Sequence, residues 1–182
     1  MTETTTTHPT HGFFGIGGAI DTPNLDEALV QSGLNFTVSQ QQNLVIGKDV
    51  KFEVDRDDMG RPIFTFDEDT PYNGLLFPNQ QPIVRDYDLQ VIANMGDGYR
   101  IMQNRDCVGI LEDILADEPD IELVRGGQIK NCERLFICAR LPEPLEIDED
   151  RIEKYILIMW SHTGKAAITI RFLPTLVTPH KS

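Results

Sequence analysis

Hydrophobic and polar residues alternate along most of this chain with a period of two, and only twice with helical spacing. A period of two marks strands with one buried face, and a period near 3.6 marks amphipathic helices. The first helical stretch is predicted over Pro23 to Ser32. Thr22 is placed to cap it, Pro23 fits its first position, and Asp26 and Glu27 suit the positive end of the helix dipole. Leu25, Leu29 and Val30 form its apolar stripe, and Gly33 is a natural stop. The second helix is predicted over Arg105 to Ala116 with Asn104 as cap. Val108, Leu111, Ile114 and Leu115 fall at helical spacing, and Pro119 ends the element.

Strands are predicted at Asn35 to Ser39, at Val50 to Val54 and Ile63 to Phe66 as a hairpin, and at Asp88 to Ala93 and Tyr99 to Gln103. Asp67 to Gln81 is acidic, then rich in Pro, Asn and Gly, and reads as an irregular surface excursion. Four strands follow the second helix: Ile121 to Val124, Leu135 to Ala139, Tyr155 to Ser161 and Ala167 to Phe172, with an acidic linker at Pro142 to Lys154. Too few helices separate the strands for a doubly wound parallel sheet. The order predicts an α+β fold, mainly an antiparallel sheet built as a meander of hairpins, with two helices packed on one side. We read residues 1–22 as a disordered or docking N-terminal tail, 23–178 as one α+β domain and 179–182 as a C-terminal tail.

Composition narrows the function classes. No run nears the ~20 apolar residues of a membrane helix, and M-T-E-T-T-T-T-H-P-T-H lacks the basic and apolar regions of a secretory signal, so a cytoplasmic protein with no membrane partner is expected. The cysteines, Cys107, Cys132 and Cys138, are odd in number and show no C-x-x-C spacing, which argues against a disulfide framework or a zinc site. Net charge is −13 and uneven: residues 1–119 hold 7 Lys+Arg against 20 Asp+Glu, and residues 120–182 hold 9 of each. A broad phosphate-binding surface is thereby disfavoured, while a local basic groove in the neutral last third is not.

The candidate motifs resolve mostly into structural readings. S-H-T-G-K at Ser161 to Lys165 lacks the upstream Gly and the following Ser or Thr of a phosphate-binding loop, and a strand follows it, so Gly164 reads as the turn of a hairpin. Adjacent Ser161 and His162 point to opposite sides of a strand and are read as structural rather than as a nucleophile and base. Asp67, Glu68 and Asp69 lack the spacing of a calcium loop. The Gly-rich G-F-F-G-I-G-G at Gly12 to Gly18 lacks dinucleotide-binding spacing and reads as a docking segment. No cofactor or metal is called for. What stands out is a basic strip: Arg125, Lys130, Arg134 and Arg140 on one hairpin, Lys165 and Arg171 on the next.

Several segments together carry a resemblance. L-D-E-A-L, Q-N-R-D, R-G-G, C-E-R-L-F-I-C-A-R-L-P and S-H-T-G-K-A-A-I-T-I-R-F-L-P stand in the order and spacing of the phage/plasmid-like proteins grouped as domain of unknown function 932, over roughly residues 24–177. Members continue past the last strand with a Val-rich segment, an Asn-Thr-Leu-like motif and a helical region. This chain stops at T-L-V-T-P-H-K-S, which the resemblance implies is a short member or a fragment. The family lends no catalytic residues. It implies a mobile-element protein in a bacterial host cell, acting among DNA-processing genes. The expectation is a non-enzymatic protein that assists DNA processing by binding or annealing single-stranded DNA, through Arg125, Lys130, Arg134, Lys165 and Arg171 on phosphates and Tyr99, Tyr155 or Trp160 as stacking rings. The apolar run that holds Tyr155 and Trp160 favours core packing for both. The alternatives are an acidic interaction module for a basic protein, as a DNA mimic or host-takeover factor, and a phage structural or assembly protein. A homo-oligomer is left open.

Overall fold

The structure, a computed structural model, describes residues 15–42, 44–45, 52–58, 60, 62–66, 75–76, 79–147 and 150–177. In chain order its elements are β1 (Gly18–Ala19), α1 (Leu25–Gln31), β2 (Val38–Gln40), β3 (Leu44–Val45), β4 (Phe52–Arg56), β5 (Pro62–Phe66), β6 (Leu75–Leu76), β7 (Gln81–Arg85) and β8 (Gln90–Met95). Then come α2 (Asn104–Asp117), β9 (Glu122–Ile129), β10 (Arg134–Arg140), β11 (Leu145–Ile147), β12 (Asp150–Trp160) and β13 (Thr169–Val177). All pairings are antiparallel, so the fold is α+β and dominated by antiparallel sheet. Contacts divide the chain into two compact units, where the sequence reading drew one domain. The first takes residues 1–35, 104–161 and 165–182; the second takes 36–103 and 162–164.

The first unit is a six-stranded sheet in the order β1-β9-β10-β12-β11, with β13 on the other side of β12. Its register assigns side chains to faces. Leu135 pairs with Trp160 and Ile137 with Ile158, and Gly126 lies beside Ile137, so these residues share one face. Both helices cover that face: Gly126 sits under Ser32 at the end of α1, and Trp160 bonds to Asn104 of α2. The opposite face gathers Phe136, Cys138, Tyr155 and Leu157 into a buried cluster edged by Ile129, Met159 and Leu173. Burying side chains of this size stabilises by about 1.5–3 kcal/mol each.

Two adjacent glycines let neighbours approach from both faces. A Cβ on Gly126 would meet the Ser32 Cβ at 2.8 Å, and one on Gly127 would meet the Gly17 Cα at 2.7 Å. R-G-G is thus a packing device between α1 and the segment leading into β1. The Gly-rich stretch docks on its own sheet over residues 15–19; Phe13 and Phe14 lie outside the described residues.

Helix α1 starts later than predicted. Asn24, not Thr22, caps it, its Oδ1 accepting from the Asp26 and Glu27 amides at 2.9 and 3.1 Å. Thr22 Oγ1 instead accepts from the Asn24 amide and donates to Glu27. Leu25, Ala28 and Leu29 are the buried stripe, while Val30 is 61% exposed. The helix closes where Gly33 predicted, with Leu34 N–H on Leu29 O at 2.7 Å and Gly33 N–H on Val30 O at 3.0 Å, the paired bonds of a Schellman turn.

The second unit holds a three-stranded sheet, β2-β7-β8, and two ribbons, β3-β6 and β4-β5. The β4-β5 ribbon is the predicted hairpin. The predicted strand at Tyr99 to Gln103 has no regular structure; β8 pairs instead with β7, a strand that contains Pro82 and was not among those predicted. Pro82 has no N–H to return to Gln41, whose amide bonds Pro82 O at 2.9 Å, and β2 ends at Gln40. Arg85 is only 8% exposed here. Its guanidinium lies 5.7 Å from the Phe36 ring and 4.7 Å from the Tyr87 ring, and bonds Asp88 and Gln90. The hydrogen bond from Arg85 holds the Asp88 carboxyl below the usual range.

Candidate nucleic-acid interface

Antiparallel pairing carries the turn 130–133, between β9 and β10, and the loop 161–168, between β12 and β13, to the same end of the first unit's sheet. Lys130 projects from the first and Lys165 from the second, both exposed; Arg134 opens β10, and Arg171 lies two residues into β13, also exposed. The 130–133 turn is bent unusually: Lys130, Asn131 and Cys132 have φ of 47, 50 and 65°, three successive left-handed residues, none a glycine. Lys130 pairs with Glu133 at 3.8 Å, but its side chain is 77% exposed, so the pair contributes little. Among the described residues no ion pair engages Arg134, Lys165 or Arg171. Gly164 has φ +67°, the turn conformation expected of it.

The strip does not extend to its other members. Arg125 sits mid-strand in one cross-strand row with Cys138, Leu157 and Arg171, so two buried strands separate it from Arg171. Its Nη1 donates to Gly17 O at 3.1 Å and Ile16 O at 3.4 Å, tying down the chain before β1. Arg140 is paired across the strands with Glu122, whose hydrogen bond raises the guanidinium pKa further. The proposed stacking rings fare unevenly. Tyr155 is 1% and Trp160 2% exposed, and neither can receive a base. Tyr155 donates to Glu153, and burial pushes its phenol pKa up. Tyr99 is half-buried. Phe172 is 70% exposed but lies on the face of β13 opposite Arg171, away from the cations. Its alternation with Arg171 was legible in the sequence; that the helices stop short of β13 was not.

The remaining chemistry is quiet. Burial pushes the Cys107 and Cys138 thiols up to about 12, so both stay protonated. Cys132 is buried and donates to Gln128 Oε1 at 2.8 Å. His162 is 2% exposed, 6.4 Å from the Phe36 ring, and burial alone lowers its pKa to about 4, so it is neutral at pH 7. A cleft of about 590 Å³ beside β9 is lined by Ile20, Pro23, Ile121, Leu123, Arg125 and Arg140, with both guanidiniums already engaged. Among the described residues no group of three His, Cys, Asp or Glu could hold a metal, and no helix is long and apolar enough to cross a membrane. Asp67, Glu68 and Asp69 lie outside the described residues.

An antiparallel sheet with helices on one face and a basic turn end defines a class of fold rather than an activity. The model of a family described as Domain of unknown function (DUF932) matches residues 91–177, a little under half of the chain, and that stretch is similar to this family. The match takes in β8, α2 and β9 to β13. It leaves out L-D-E-A-L at residues 25–29, which the wider resemblance had included. No curated protein and no solved structure matches the chain.

Proposed function

We propose that this chain is a non-enzymatic protein that binds single-stranded DNA, at the sheet end built by Lys130, Arg134, Lys165 and Arg171. One observation carries the reading: on a chain of net charge −13, four exposed cations collect at one end of one sheet with a single carboxylate, Glu133, paired among them. Arg125 belongs to the fold and drops out of the set. The family resemblance supplies the context of phage or plasmid DNA processing. Binding should weaken with salt at about 0.7 per phosphate contacted in a log–log plot, a slope near −3 for four contacts. Fluorescence anisotropy with a labelled single-stranded oligonucleotide at several salt concentrations tests this. Lys165→Ala/Arg171→Ala should lower both affinity and slope. Absent or salt-insensitive binding by the unaltered chain removes the reading.

A second reading rests on α2, where Asp106, Glu112, Asp113 and Asp117 are exposed on the helix. That acidic surface suits a basic protein partner. Capture of such a partner at low salt, lost at high salt and lost on replacing Asp113 and Asp117 by Asn, would favour it over DNA binding.

A further inference from the structure

The helices cover only part of the face they pack on. Register places Ile170, Phe172 and Leu176 of β13 beside Ile158, Ile156 and Ile152 of β12, and Leu145 of β11 beside Ile152 on the other side. Ile156 and Ile158 are buried, but the outlying members are not: Phe172 is 70%, Ile147 56%, Leu145 and Leu176 50% and Ile170 46% exposed. At roughly half of a large side chain each, they leave about 500 Å² of apolar surface in water. A patch of that size is in the upper part of the range for the largest patch on a monomer, and such patches are often functional.

We infer that this face is an interface with a second copy of the chain, stacked face to face about a twofold axis crossing the strands near Ile152. The charges on the face specify a copy rather than another partner. Asp150 and Lys154 flank Ile152 on the same face of β12, four residues apart, about 13 Å along an extended strand and too far to pair with each other. Among the described residues neither has an ion-pair partner. A twofold axis at Ile152 sets Asp150 of one copy against Lys154 of the other, twice. The same axis lays the row Leu145, Ile152 and Leu176 on its mate. The apolar area on each copy, with its polar rim, approaches the ~800 Å² per partner of a standard interface. Strand addition at the open edge is disfavoured, because Pro174 stands in the middle of β13 with no N–H to offer. The contact therefore runs through the face.

Sedimentation equilibrium of the full chain from about 1 to about 500 µM tests this. A monomer–dimer equilibrium is expected. Leu176→Asp should raise the dissociation constant at least ~tenfold, and Asp150→Lys or Lys154→Asp alone should weaken the dimer by setting like charges together. Asp150→Lys/Lys154→Asp should restore it, since the swapped charges again face their opposites. Circular dichroism checks that each variant folds; if Leu176→Asp does not, the exposed charge swap carries the test alone. A monomer at every concentration overturns the inference. So does a dimer indifferent to Leu176→Asp, or a double swap that fails to restore association.

Discussion

Asn104 is the sharpest place to probe the first unit. It opens α2 yet is only 2% exposed. Its Nδ2 donates to Leu34 O at 2.9 Å, and its Oδ1 accepts from Trp160 Nε1 at 2.9 Å, so one side chain joins the turn after α1, the start of α2 and the end of β12. Asn104→Ala strands a carbonyl and an indole N–H inside the protein. Each orphaned buried group costs about 1–3 kcal/mol, which puts the loss near 3 kcal/mol. That is a large share of a typical total stability of about 5–15 kcal/mol. Trp160 is the only tryptophan, so its fluorescence in a urea titration reports on the affected site directly. Asn104→Asp keeps the acceptor for Trp160 but sets a buried carboxylate oxygen against the Leu34 carbonyl, and should cost at least as much as the alanine at pH 7. A loss below about 1 kcal/mol for Asn104→Ala would refute the assignment of Asn104 as a structural joint.

Three further outcomes are expected. Gly126→Ala drives a Cβ into Ser32, 2.8 Å away, and should destabilise by about 1–3 kcal/mol in urea. Lys130→Gly relieves a left-handed residue at φ 47° and should raise the melting temperature by the equivalent of up to about 1 kcal/mol, while removing one proposed phosphate contact. His162 is held neutral by burial with its pKa lowered from 6.5 to about 4. The unfolded chain then binds the extra proton first, so stability falls as pH drops from about 6.5 toward 4, by about 2 kcal/mol between pH 7 and 5. His162→Gln should flatten that part of the urea midpoint against pH; an unchanged slope would contradict the burial of this ring.

Much of the fold was legible because alternation is local. Both helices, the β4-β5 ribbon and the hairpins after α2 follow from periods visible in the residues themselves. The misses have identifiable causes. Pro82 disguised β7, since a proline is tolerated where a neighbouring ladder ends. The charged run E-I-D-E-D-R-I-E-K hid β11 and the first half of β12 within an apparent linker, because strand residues facing water need not be apolar. At the candidate interface, the sequence supplied the cations and the two hairpins that carry them, but not which of them meet. That four of them meet at one sheet end, while Arg125 is spent on two backbone carbonyls, depends on register. Tyr155 and Trp160 were legible as core from their apolar run, and burial settles their role.

The thin attachment of β1 bears on the order of assembly. Two paired residues, the Ile20 amide on Val124 O and the Arg125 guanidinium hold this strand. Gly17 and Arg125 are 108 residues apart in the chain. The contacts from β9 to β13 are between near neighbours and close quickly, whereas β1 must wait for a loop of that length to shut. Among the described strands, β1 is the one whose docking depends on closing the longest loop. Until it docks, Gly127 lacks the Gly17 backbone that packs against it, and docking of β1 closes the first unit's sheet at that edge.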